Sequence, residues 1–215
     1  MRSIAYFYMK RAVIFDFGGV LVKTLDYRPR HTWDERLNLP HGSVEKIVHG
    51  SYIWRNVLLG RVSLDDYWAE IARQLRLDDE AVQQLAHDYY SGDRLDDDLI
   101  AYIRELREHG HTVALLSNAT TALEEELRVL QIADLFDPTI ISAYIGAIKP
   151  DPAAYQAALA ALHRPADETI FIDDMPDNIA AAQALGIQGI RYVADMDLRA
   201  ALEPLLTRLD KIDSR

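Results

Sequence analysis

The 215-residue chain has no cysteine. Disulfides, thiolate nucleophiles and Cys-built zinc sites are therefore excluded. Positive charge is also scarce: 23 Lys and Arg stand against 34 Asp and Glu, a formal net charge of −11. That balance argues against nucleic acid as a partner, because such binding needs a broad basic surface. It does not argue against a small phosphorylated molecule, which a cation and a few local donors can hold. No apolar run reaches the roughly 20 residues of a membrane helix. Met1 to Lys10 also lacks the long apolar segment of a signal peptide. The expectation is a soluble, cytoplasmic protein with no membrane partner. The sequence selects no oligomeric state.

At this length about 70% of the unfolded surface can be buried without any covalent staple. Short β-branched or apolar runs alternate with amphipathic stretches. Ala12 to Phe17, Thr112 to Leu116, Thr139 to Ser142, Thr169 to Ile172 and Ile187 to Val193 read as strands. Asp96 to His109, Thr121 to Leu130, Pro152 to Leu162, Asp177 to Leu185 and Asp197 to Leu209 read as helices, several ending at a glycine. Strand–helix alternation implies an α/β fold, a Rossmann-like doubly wound parallel sheet. Ligands of such sheets bind at the carboxyl ends of the strands.

One segment breaks the rhythm. Roughly 75 residues before Asp96 show no clear strand, and such a length is too great for an ordinary loop. Arg30 to Leu39, Val44 to His49, Ser63 to Leu75 and Asp79 to Tyr90 read as helices, with Ser63 as N-cap and Asp66 as its partner. The division expected is a core of residues 9–22 and 93–215, an inserted α-helical cap of residues 23–92, and an N-terminal extension of residues 1–8.

Polar residues gather where the strands end: Asp16, Ser117 with Asn118, Lys149 in the run IKPDP, and Asp173 with Asp174. Each alone is an ordinary turn or cap residue. Together, at one edge of a parallel sheet, they suit phosphoryl transfer. A carboxylate can attack phosphorus and split one hard step into two. A divalent cation must then offset the repulsion between carboxylate and phosphate, and Mg²⁺ favours carboxylate oxygens, waters and phosphate oxygens. Asp16 and Asp174 offer the carboxylates. A serine hydroxyl, a lysine ammonium and the main-chain N–H groups of Phe17, Gly18 and Gly19 offer donors for phosphoryl oxygens.

The runs FDFGGVL, LLSNA, IKPDPAAY and FIDDMPDNIAAA, in this order and spacing, resemble the four motifs of the haloacid dehalogenase-like hydrolase superfamily. The likeness runs from about Ala12 to Tyr192. It points to the helical-cap branch that includes sugar-1-phosphate phosphatases and phosphatases like the N-terminal domain of epoxide hydrolase. It implies Asp16 as nucleophile, Ser117 and Asn118 as phosphate contacts, and Lys149 steadying nucleophile and phosphate. It also implies Asp174 and the Gly18 carbonyl as Mg²⁺ ligands, Asp173 pairing Lys149 or holding metal-bound water, and Asn178 supporting the acidic loop.

The chain departs from that family at one place. Most phosphatases of the family carry a second aspartate two residues after the nucleophile, and here that position is Gly18. A positioned acid or base is worth about 10²–10⁴-fold. The expectation is a phosphatase for leaving groups that need little protonation, such as anomeric sugar, acyl or aryl phosphates. His31, His41 and His49 in the cap are candidate substitute acids. Two alternatives stay open. A dehalogenase would need no metal, but the Asp173–Asp174 pair would repel a carboxylate substrate. A binding or regulatory module would have lost catalysis. Substrate choice is expected to lie in the cap, among Trp33, Tyr52, Trp54, Tyr67, Trp68, Tyr89 and Tyr90, a minority lining a pocket, with Arg55 and Arg61 as possible anion contacts.

Overall fold

A computed structural model describes residues 10–206. The expected extension, residues 1–8, and the last three residues of the expected C-terminal helix lie outside the described residues. The chain begins with β1 (Ala12–Phe15) and β2 (Val22–Thr24). Five helices follow: α1 (Arg28–Arg36), α2 (Ser43–Val48), α3 (Tyr52–Leu58), α4 (Leu64–Leu75) and α5 (Asp79–Tyr90). Then come β3 (Asp93–Leu95), α6 (Asp97–Glu108), β4 (Thr112–Ser117), α7 (Leu123–Val129), β5 (Thr139–Ile141) and the one-turn α8 (Ser142–Ile145). The described chain closes with α9 (Pro152–Leu162), β6 (Thr169–Asp173), α10 (Pro176–Ala184), β7 (Gln188–Arg191) and α11 (Leu198–Leu206).

Five strands form a parallel sheet in the order β5-β4-β1-β6-β7. The doubly wound α/β reading is therefore correct. Alternation along each strand sorts the core into two layers, as a pleat requires. Val13, Phe15, Val113, Leu115, Ile170 and Ile172 face the layer containing residues of α6, α7 and α11. Ala12, Ile14, Ala114, Leu116 and Phe171 face the layer containing residues of α9 and α10. The cap has its own core around Trp33, Tyr67, Ile71, Leu85 and Tyr89.

Two short strands inside the supposedly strandless segment correct the sequence reading. Val22–Thr24 and Asp93–Leu95 pair antiparallel, Val22 opposite Leu95 and Thr24 opposite Asp93. Three residues per strand, all half-buried or exposed, leave no periodic signal, and the partners lie some seventy residues apart. Helix α3 also escaped the pattern, and β1 stops at Phe15 rather than Phe17. The two-stranded ribbon is where the chain leaves and re-enters the core. Lys23 donates there to Asp96 Oδ2 (2.7 Å) and to the Tyr192 hydroxyl (2.6 Å), while Asp96 Oδ1 caps α6 through Leu99 N–H (3.0 Å).

Ser63 caps α4 as expected. Its Oγ accepts from Asp66 N–H (3.0 Å) and donates to the Asp66 carboxylate (2.7 Å). The change Ser63→Ala is expected to lower unfolding free energy by about 1 kcal/mol, read by urea denaturation. A loss within error of zero would show that the cap does not limit stability.

Candidate active site

Register places the first two acidic residues. Phe15 lies opposite Ile172, and Asp16 N–H donates to Ile172 O (2.9 Å), so Asp16 and Asp173 emerge side by side at the sheet edge. Like charges on neighbouring strands repel. Lys149 answers this: its Nζ lies 2.7 Å from Asp16 Oδ1 and 2.7 Å from Asp173 Oδ2, with all three side chains almost wholly buried. An ammonium has three donors, so one remains for a ligand.

The lysine is held by its main chain. Asn118, just past β4, accepts from Lys149 N–H (2.7 Å) and donates to Lys149 O (2.9 Å). This two-point clamp ties the end of β4 to the loop before α9. The neighbouring turn is braced by buried Ser142, whose Oγ accepts from Ala119 N–H and donates to Ala119 O. The Asn118 side chain thus holds Lys149, while Asn118 also lines the cavity above the sheet edge. Ser117 is buried and lines the cavity above the sheet edge.

Asp173 is fully buried. Its Oδ1 accepts from Met175 N–H (2.8 Å), and Asn178 Nδ2 donates to both of its oxygens (3.0 Å each). Asn178 thus supports the acidic loop. Oxygens of Asp16, Asp173 and Asp174 all lie within 4.8 Å of one another. Three carboxylates and one ammonium leave a formal surplus of two negative charges. Burial, reinforced by Asp173 and opposed by Lys149, pushes the Asp16 carboxyl up to about 7. Burial and then the Asp173 charge raise Asp174 as well. An all-oxygen donor set carrying surplus charge fits a hard divalent cation.

The turn after β1 differs from expectation. Phe17 N–H donates to Asp16 Oδ1 (2.7 Å), and Gly19 N–H donates to Val22 O (2.8 Å). Two of the three main-chain donors assigned to phosphate are therefore committed to closing the turn. Gly18 remains. Gly19 has φ +81°, and a Cβ there would lie 2.5 Å from Asp174 Oδ2. A Cβ on Gly18 would meet nothing within 4 Å, and its φ is not in the left-handed region.

A cavity of about 550 Å³ opens over this edge. Its floor includes Gly18, Gly19, Ser117 and Asn118, and its cap side includes His49, Trp54, Leu64, Tyr67, Trp68 and Tyr90. Four of the seven cap aromatics line it, more than the expected minority. Trp33 and Tyr89 are buried in the cap core, while Tyr52 is exposed. Arg55 and Arg61 are exposed and do not line the cavity. Arg30 does, with Thr24, Asp93 and Glu126. These were missed because only the ribbon and the first turns of α1 and α7 bring them together.

The candidate substitute acids fare poorly. His31 and His41 stack on each other (3.9 Å) away from the cavity. His49 reaches the cavity, but burial and the Arg30 charge push it down to about 4, so it is neutral at pH 7. Its two ring nitrogens face the hydroxyls of Tyr89 and Tyr90 at 3.2 Å.

A family model described as haloacid dehalogenase-like hydrolase matches residues 10–186. The chain is 30% identical over 185 residues to the sesquiterpene phosphatase astK of Aspergillus oryzae, covering 84% of this chain and 88% of that protein. It is 25% identical to a D-ribitol-5-phosphate phosphatase of Bacteroides thetaiotaomicron, covering 92% and 99%. Among solved structures, a HAD-family enzyme of Bacteroides thetaiotaomicron in complex with magnesium and inorganic phosphate superposes with a TM-score of 0.76. That match has 21% identity and covers 90% of this chain and 99% of the other.

The two glycines should answer differently to a methyl group. Gly19→Ala is expected to destabilise by about 1–3 kcal/mol, from the left-handed backbone alone, and to displace Asp174. Gly18→Ala should be near neutral. Thermal and urea unfolding of both variants checks this, and equal effects would contradict the geometry.

Proposed function

The chain belongs to the haloacid dehalogenase-like hydrolases, and from that premise we propose a Mg²⁺-dependent phosphatase working through a phosphorylated Asp16. That it is a phosphatase-type hydrolase follows from the family and from relatives named as phosphatases. The mechanism and the metal are our reading. The observation that carries it is the convergence of Asp16, Asp173 and Asp174 within 4.8 Å around a single lysine. The magnesium and phosphate of the structural neighbour support the same reading.

Asp16, Asp174 and the Gly18 carbonyl would hold the cation, with Asp173 behind them. When bound, it offsets the repulsion between an incoming phosphate and the carboxylates. The chain's own residues do the rest. Lys149 and Phe17 N–H fix the Asp16 carboxylate through Oδ1, and one of its two oxygens would attack phosphorus. The new O–P bond forms as the ester P–O bond breaks, and the leaving oxygen keeps the electron pair. Water then attacks phosphorus and the Asp16 O–P bond breaks, its electron pair returning to the carboxylate; one water proton stays on the released phosphate and the other balances the leaving oxygen. Lys149, Ser117 and the Gly18 N–H would receive phosphoryl oxygens as charge spreads over them. Burial favours a protonated Asp16, and a neighbouring divalent charge favours the carboxylate that attack requires.

Asn118 and Asn178 act as positioning residues, one on Lys149 and one on Asp173. The dehalogenase reading is disfavoured by the two carboxylates after β6, which suit a cation and repel a carboxylate substrate. The named relatives act on chemically distant compounds, a sesquiterpene and a pentitol phosphate, so their names do not choose the substrate.

Asp16→Asn is expected to leave cooperative unfolding intact and to lower hydrolysis of p-nitrophenyl phosphate by about 10³-fold or more. Chelation should abolish wild-type hydrolysis, and added Mg²⁺ should restore it. Wild-type rates in either test would end the reading. Gly18→Asp meets open space, so it is expected to raise turnover of alkyl phosphates, within about the 10²–10⁴-fold worth of a general acid. An unchanged rate would mean that another group already protonates the leaving oxygen.

A further inference from the structure

The cavity over the sheet edge has a floor that suits phosphate and a ceiling that does not suit a second polar group. Resting on the phosphatase reading above, we infer that the substrate is the monophosphate of an apolar, uncharged alcohol or phenol, whose organic body sits against Trp54, Leu64 and Trp68. Sugar phosphates, nucleotides and phosphorylated acids are then poor substrates.

Three observations carry this. First, the apolar wall is contiguous. Trp54 packs on His49 (4.7 Å between rings) and on Tyr67 (5.4 Å), and Trp68 packs edge-on against Tyr67 (5.0 Å). Leu64, Trp54 and Trp68 are half-buried at the surface of the cap core, presenting area that an apolar ligand would cover. Apolar surface withdrawn from water contributes about 25 cal/mol per Å².

Second, the tyrosine hydroxyls and the imidazole on the cap side are already paired. The Tyr67 hydroxyl donates to Val48 O (2.8 Å). Both nitrogens of His49 are engaged by tyrosine hydroxyls, and the ring is neutral. Sugar hydroxyls entering here would lose water without gaining these groups as partners, a loss that polar ligands do not recover.

Third, the charge is wrong for a second anion. The charged residues lining the cavity, apart from His49, are Arg30, Asp93 and Glu126. Arg30 is spent: it donates to Tyr89 O (2.9 Å), the Thr24 hydroxyl (2.9 Å), Asp93 (3.2 Å) and Glu45 (3.3 Å). The lining thus carries one formal net negative charge, with Glu126 raised by burial, and it would lie beside a cation already matched by two carboxylates. A carboxylate or a second phosphate would meet repulsion, whereas an uncharged body would not.

The volume, about 550 Å³, lies within the range of small-molecule pockets. The missing acid at Gly18 adds a chemical preference within this class. Phenols leave without prior protonation more readily than simple alcohols, so apolar aryl phosphates should be turned over best.

The test compares 2-naphthyl phosphate, phenyl phosphate and glucose 1-phosphate. The two aryl leaving groups are of similar acidity but differ in apolar area, which isolates the wall from the chemistry. With Mg²⁺, wild-type kcat/KM should be about tenfold higher for naphthyl than for phenyl phosphate, chiefly through KM, as the added buried area requires. Glucose 1-phosphate should rank below both. Trp68→Ala should erase most of the naphthyl advantage, read as the ratio of the two kcat/KM values. Leu64→Asn, at the first helical position of α4, is a second variant of the same wall and should act in the same direction.

Isothermal titration calorimetry on Asp16→Asn with Mg²⁺ gives the affinity ranking without turnover, and the same order is expected. Equal affinities, or tighter binding of glucose 1-phosphate, would overturn the apolar substrate class while leaving the phosphatase reading standing. Absence of hydrolysis of all three phosphates by the wild type would instead sink the phosphatase reading, and the calorimetric ranking would still decide what the cavity binds.

Discussion

The structure turns on one buried contact, the ammonium of Lys149 set between the carboxylates of Asp16 and Asp173. Parallel pairing of β1 with β6 forces those two acids to leave the sheet as neighbours. Buried like charges at that spacing are tolerable only with a cation between them. Removing one partner of such a buried cluster leaves an uncompensated charge, typically a cost of about 3–5 kcal/mol. The surrounding groups are arranged accordingly. Asn118 fixes the lysine's main chain, Asn178 fixes Asp173, and Phe17 N–H fixes Asp16.

One lysine does not balance three carboxylates. Asp174 approaches closely because Gly19, in a left-handed turn, has no side chain to stop it. The leftover negative charge would be a defect in an ordinary core, and an all-oxygen set of this charge suits a hard divalent cation. Gly18 is the complementary case. Its backbone would admit a side chain, and the space beside it is open. Room for a Cβ is thus not what keeps a side chain from this position.

Above the edge, the cap supplies shape and polarity. Its core around Tyr67, Ile71 and Tyr89 is a cluster separate from the two layers against the sheet. The short ribbon of β2 and β3 carries it, anchored through Lys23, Asp96 and Tyr192. Aromatic residues that complete the cap's packing, Trp54, Tyr67 and Trp68, also line the cavity.

The sequence by itself determined the sheet and the acidic edge. Short apolar runs bounded by turn residues mark the parallel strands, because a strand buried on both faces has to be apolar throughout. Asp16, Asp173, Asp174 and Lys149 stood out because, each ordinary alone, they gather at one edge of a parallel sheet, where ligands bind. Tertiary structure alone decided the rest. It used the Asn118 side chain and two main-chain donors to hold the loops, and it joined β2 to β3. It also drew Arg30, Asp93 and Glu126 to one cavity and left His49 neutral between two tyrosines. These outcomes depend on partners far apart in sequence and on desolvation, and no local pattern encodes either.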